Sequence, residues 1–151
     1  MLKFSSPGAV VTVLMTSAVT AGLVIGAPSA AVATPPAGVA AKLLAEFTVG
    51  NTDYVLREIT IQPGGTTGWH WHDGSLYGVV KSGTLTHEMA DCTSIATYAL
   101  GSTILEESGA DKVHRGVNTG TTPVVLDVLY VDPKGTPLSE DAADPGCPAL
   151  P

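Results

Sequence analysis

The 151-residue chain carries 14 acidic against 7 basic residues, for a formal charge of −7. A surface of that sign repels phosphate backbones, which argues against a nucleic-acid partner. Two cysteines and a length suited to one small domain bound the rest of the reading.

Residues 1–33 begin with Lys3 as their one charge, continue as an apolar Ala- and Gly-rich run from Ala9 to Ile25, and end on Ala31-Val32-Ala33. A positive start, an apolar middle and a small-residue site predict a cleaved signal peptide. The competing reading is a retained anchor, but Thr12, Thr16, Ser17 and Thr20 weaken the run as a membrane span. Cleavage near Thr34 leaves about 118 residues, slightly more acidic than the whole and with no stable membrane span. The expected location is secreted or extracytoplasmic.

Residues 34–44 read as a linker or N-terminal segment, and "KLLAEFTV" as either a short helical turn or a first strand. The chain then becomes β almost throughout. Tyr54 to Ile61, Leu76 to Val80, Thr84 to Met89, Ile95 to Leu100 and Val124 to Val131 are short runs rich in β-branched and aromatic residues. The turn clusters "QPGG", "HDGS", "KSGT" and "NTGTTP" separate them. No stretch holds the apolar spacing of a substantial helix. Many short strands in one domain predict an all-β sandwich or barrel over residues 45–131. Residues 132–151 form a Pro-rich tail.

Cys92 and Cys147 both lie beyond the leader in turn-rich contexts. In an oxidising compartment an even pair is most simply one disulfide, which would contribute roughly 3–5 kcal/mol and tie the tail to the body. The alternative is two unpaired thiols. A thiol metal site is disfavoured, because neither cysteine has a Cys or His at ligand spacing.

The stretch "GWHWHDGSLYGVVKSGTLTH" places His70 and His72 one residue apart. On a strand both imidazoles face one side, and Trp69 and Trp71 face the other. Such a pair serves as a metal site, a substrate-binding pair or surface residues. His114, at the start of a later strand segment, offers a third imidazole to the same barrel mouth and favours the metal.

The sequence here resembles the cupin superfamily. Gly64, five residues, His70-Trp71-His72, three residues, position 76, six residues and Gly83 follow the first cupin motif, with Leu76 where the motif has Glu. Gly101, five residues, Glu107-Ser108-Gly109, four residues instead of two, His114, three residues and Asn118 follow the second, without its Pro. The resemblance implies a single-domain cupin-type jelly-roll β-barrel with His70, His72 and His114 as metal ligands. Three neutral imidazoles leave a divalent ion its full charge and suit Fe, Zn, Ni or Cu better than Mg or Ca. Some cupins, including thiol and diketone dioxygenases, are similar in placing Fe(II) on three histidines, so the absent Glu does not exclude catalysis.

Other polar residues are weighed by alternation. Tyr77 and Asp127 are expected to face outward, Arg115 and Asn118 to organise their strand, and His87, Glu106 and Glu107 to be solvated. Trp69 and Trp71 need cover, either from the segment around Leu43, Leu44 and Phe47 or from a second subunit in a homodimer. Two function classes fit: an exported metal-dependent enzyme such as an oxygenase, or a non-catalytic barrel that binds a metal or small ligand. A barrel whose metal site has degenerated is a third. In each of the first two the expected partner is a small molecule.

Overall fold

The computed structural model describes residues 33–150, so the expected signal peptide falls outside the described residues except for Ala33. Ten strands follow in order: β1 Ala37–Val49, β2 Thr52–Thr66, β3 His70–Trp71, β4 Ser75–Ser82, β5 Thr84–Met89, β6 Ile95–Ala99, β7 Thr103–Glu106, β8 His114–Val117, β9 Val124–Pro133 and β10 Glu140–Asp141. All pair antiparallel in a nearly closed jelly-roll barrel. No helix among the described residues is long and apolar enough to cross a membrane.

Strand β2 is long enough to serve three partners. It pairs with β1 along one edge, with β9 from Thr52 to Ile61 along the other, and with β8 where Thr66 meets Val117. The β1–β2 hairpin turns on Gly50 and Asn51, with Gly50 at φ 62°, the conformation a two-residue type II′ turn needs at its first position. Strand formation from Ala37 corrects the linker expected over residues 34–44: edge pairing with β2 supplies the backbone partners that local composition did not reveal.

Period-2 alternation sorts the barrel wall. Ile59 and Ile61 of β2, Val80 of β4, Leu85 of β5, Ile104 of β7, and Val124 and Leu126 of β9 point inward and form one buried cluster. On the outer face Lys81 bridges Glu58 at 3.2 Å and Asp127 at 3.1 Å, which confirms the outward position of Asp127. Such exposed pairs contribute about 0–1 kcal/mol each. Tyr77 is also exposed, as alternation requires.

Trp69 is turned away from the histidine side, yet it is fully buried. The chain's own expected covering segment does not account for this, since Leu43, Leu44 and Phe47 are themselves exposed. Instead the Arg115 guanidinium lies 4.5 Å from the Trp69 ring and pairs with Glu88 at 2.6 Å. The carboxy-terminal segment adds to this covered face, with β10 pairing to β3 and Ala142 donating to the Trp69 carbonyl. Cys92 and Cys147 are bonded to each other, 55 residues apart, which ties this segment to the β5–β6 turn. The tail is thus part of the fold, because its backbone completes the β3 edge.

Candidate metal centre

The local sequence around His70 is built to aim a ring. Gly68 has φ 73°, and a Cβ there would stand 2.0 Å from the Thr34 carbonyl oxygen, so only glycine fits. Its carbonyl in turn accepts from His70 Nδ1 at 2.9 Å. His72 Nδ1 donates to the Leu138 carbonyl at 2.7 Å, and His114 Nδ1 to the Lys112 carbonyl at 2.7 Å. A carbonyl only accepts, so each Nδ1 carries the proton and a neutral ring presents its Nε2 lone pair. Three rings oriented by three backbone oxygens is the outer-shell arrangement that metal-bound histidines use.

The rings converge because β3 and β8 are direct neighbours: His70 and His114 are cross-strand partners, with ring centroids 4.5 Å apart. His72 and His114 are fully buried, while His70 is partly buried. Burial and the neighbouring His114 push the His70 ring down to about 4, so it is neutral at physiological pH.

A fourth group completes the cluster, and here the expectation of a solvated Glu106 is corrected. Glu106 Oε2 lies 3.2 Å from both His72 Nε2 and His114 Nε2, and its Oε1 lies 3.4 Å from His87 Nε2. His87 stacks on His114 with centroids 4.8 Å apart, so it too faces the cluster rather than solvent. Both follow from alternation: Glu106 shares the inward face of β7 with Ile104, and His87 that of β5 with Leu85. Glu106 is also the direct cross-strand partner of Leu76. The carboxylate absent from the first motif is therefore supplied from the neighbouring strand on the same face.

The donor set fits a metal ion. Ligand atoms of His70, His72, Glu106 and His114 all lie within 4.8 Å of one another. Two donors at adjacent positions about 2.1 Å from one ion stand roughly 3.0–3.4 Å apart, which brackets the observed nitrogen–oxygen separations. Nε2 of His72 and of His114 are buried with no aligned hydrogen-bond partner, although the carboxylate is close. Lone pairs facing a carboxylate repel unless a cation lies between them, and an ion held by all four groups supplies it. Without that ion the cluster polarises itself. Burial opposes charge on Glu106 and on His114, but their mutual attraction outweighs it, holding the Glu106 carboxyl well below its ordinary range and raising His114.

The remaining residues take structural or lining roles. Asn118 binds the Ile61 and Thr122 carbonyls at 2.9 Å each and accepts from Gly120 N, which fixes the turn after β8. Glu107 is exposed and pairs with Lys112. Behind the cluster lies a cavity of about 260 Å³, walled by residues that include Ile59, Leu76, Val128, Tyr130 and Arg57. Burial, then the nearby Glu106, pushes the Tyr130 hydroxyl up to about 12, so it keeps its proton.

This fold and this cluster are those of a cupin. The cupin domain family matches residues 57–132, half of the chain, and the chain belongs to that family. Similar solved structures include the polyketide cyclase RemF from Streptomyces resistomycificus, at 18% identity and TM-score 0.57 over 76% of this chain and 80% of that one. A cupin-2 domain protein from Rhodospirillum rubrum is 12% identical with TM-score 0.58, covering 73% of this chain and 69% of its own. A cupin domain from Bordetella pertussis is 21% identical with TM-score 0.51, covering 66% and 96%. At these identities the likeness establishes the fold. A search of curated proteins finds no significant match.

Proposed function

We propose that this chain is an exported, metal-dependent cupin enzyme that holds one divalent transition metal (Fe, Zn, Ni or Cu) on His70, His72, His114 and Glu106 and acts on a small molecule in the adjoining cavity. The observation that carries this reading is the convergence of four ligand atoms within 4.8 Å, each ligand imidazole already oriented by a backbone carbonyl. Such an ion, when bound, supplies Lewis acidity and, where it is redox-active, electron exchange with O2.

The chain's own residues set the conditions for that chemistry. Three neutral rings and one carboxylate balance one of an ion's two charges, rather than none as a purely imidazole set would. Ile59, Leu76 and Val128 make part of the wall apolar, and an apolar wall strengthens charge interactions beside it. Tyr130 keeps its proton and offers a hydrogen-bond donor on the same wall. Export is supported by the signal-like leader and by the Cys92–Cys147 bond, which belongs in an oxidising compartment.

Elemental analysis of the purified protein beside a variant with His70, His72 and His114 all changed to Ala tests the reading. The expected result is near-stoichiometric metal in the native chain and none in the variant. A native chain that stays metal-free after reconstitution overturns it. With metal present, turnover or O2 consumption across a panel of small molecules separates the enzyme from a barrel that only binds.

A further inference from the structure

The inward face of β2 reads Val55, Arg57, Ile59, Ile61, with one cation among apolar residues. Cross-strand register sets Arg57 beside Val128 of β9 and Leu43 of β1, and the row continues through Gly78 to Ile104. None of these is acidic. Arg57 Nε is buried and has no hydrogen-bond partner among the described residues, and its side chain lines the same cavity as His70, His72 and Glu106. Its row lies one pleat deeper than the row of Glu106, Leu76 and Tyr130.

Arg57 is half-buried, so its terminal nitrogens are not sealed from water, but its buried Nε is left without a partner beside an apolar wall, where attraction to an anion is stronger than in bulk water. A fixed fork of donors matches a carboxylate bidentately. We propose that Arg57 is the anion-recognition residue of the cavity, and that the ligand is a short-chain carboxylate whose apolar body lies against Leu76, Val128 and Ile104. At about 260 Å³ the cavity falls below the common range of ligand pockets, roughly 300–1,000 Å³, which limits the ligand to a few carbons. Gly78 leaves room on that row, since a Cβ there would sit 3.5 Å from Ile104 Cβ with no closer contact. The proposal deepens the metal-site reading and rests on it only for the placement of the ligand beside the ion.

Calorimetric titration of the full protein, metal-stripped and zinc-loaded, with hexanoate and with hexan-1-ol tests this. Metal-stripped wild type is expected to bind hexanoate at least ~10-fold more tightly than hexanol. Arg57→Gln should bring hexanoate down to the level of hexanol while leaving hexanol affinity and zinc stoichiometry unchanged, and Arg57→Lys should fall between. Equal affinity for the two probes in wild type, no binding of either, or hexanoate affinity unchanged in a folded Arg57→Gln overturns the proposal. The wild-type comparison stands even if the variant fails to fold. Failure of the metal reading shows separately, as absent zinc with an Arg57-dependent hexanoate site intact.

Discussion

The two ends of the barrel interior are built on the same alternation but carry different loads. At one end Ile61 and Val124 are fully buried with Val80, Leu85 and Leu126 in a wholly apolar cluster. At the other the inward positions hold His70, His72, His87, His114 and Glu106, with only Leu76 and Val55 as buried apolar neighbours on the row beside them. Apolar packing at the first end stabilises the wall regardless of ligand, so the second can tolerate unpaired ring nitrogens. Apolar side-chain packing and the polar cluster are thus separated along the barrel axis, with Arg57 at the boundary between them and the disulfide bracing the polar end from outside.

That division can be tested by breaking one end at a time. The largest loss is expected from removing the bridge that holds the tail over the histidine end. Changing Cys92 and Cys147 to Ser should cost about 4 kcal/mol in denaturant unfolding, from the loop closed by a 55-residue separation. Ile61→Ala at the apolar end should cost about 3 kcal/mol, because its site is fully enclosed, yet leave metal stoichiometry in the folded protein intact. If metal is lost with it, the two ends are coupled.

At the other end the expectation reverses. Glu106→Leu should weaken metal binding at least ~10-fold by competition with a chelator while moving the metal-free unfolding midpoint less than Ile61→Ala does. Leu76→Glu in that background should restore binding, because positions 76 and 106 are cross-strand partners on one face. Failure to restore it would mean that the carboxylate must come from β7. The smallest effect belongs to Asp132, whose burial raises its carboxyl although the nearby His72 and the Gly74 backbone N–H pull the other way. The folded state therefore holds this proton more tightly than the unfolded one, so destabilisation builds as pH rises past the ordinary carboxyl value of the unfolded chain and is complete above the folded value. Asp132→Asn should gain about 1 kcal/mol at pH 7 and close to nothing near pH ~3 in thermal melts.

The barrel was legible because both motif glycine and histidine spacings survive in the sequence, and His-x-His on a strand has one geometric reading. Glu106 and His87 were less so. The two extra residues between Gly109 and His114, relative to the second motif, hid the direction of the segment before them. The usable signal was alternation within "TILE" and "TLTH", anchored on Ile104 and Leu85 as inward residues. The cover on Trp69 and the carbonyl that orients His72 come from residues far along the chain, and no local pattern announces a contact between Leu138 and His72. The start of β1 was hidden for a related reason, and its later half read equally as a helical turn: its residues are nearly all exposed, so it carries no amphipathic signature.

The hydrogen bond from His72 to Leu138 also sets an order of events in biosynthesis. The oxygen that orients His72 arrives 66 residues after it, in a segment that Cys147 then ties back to Cys92. A growing or reduced chain can carry the ligands without holding them in place. On the proposed metal-binding reading, loading is expected to follow closure of this segment over His72 rather than synthesis of the histidines alone.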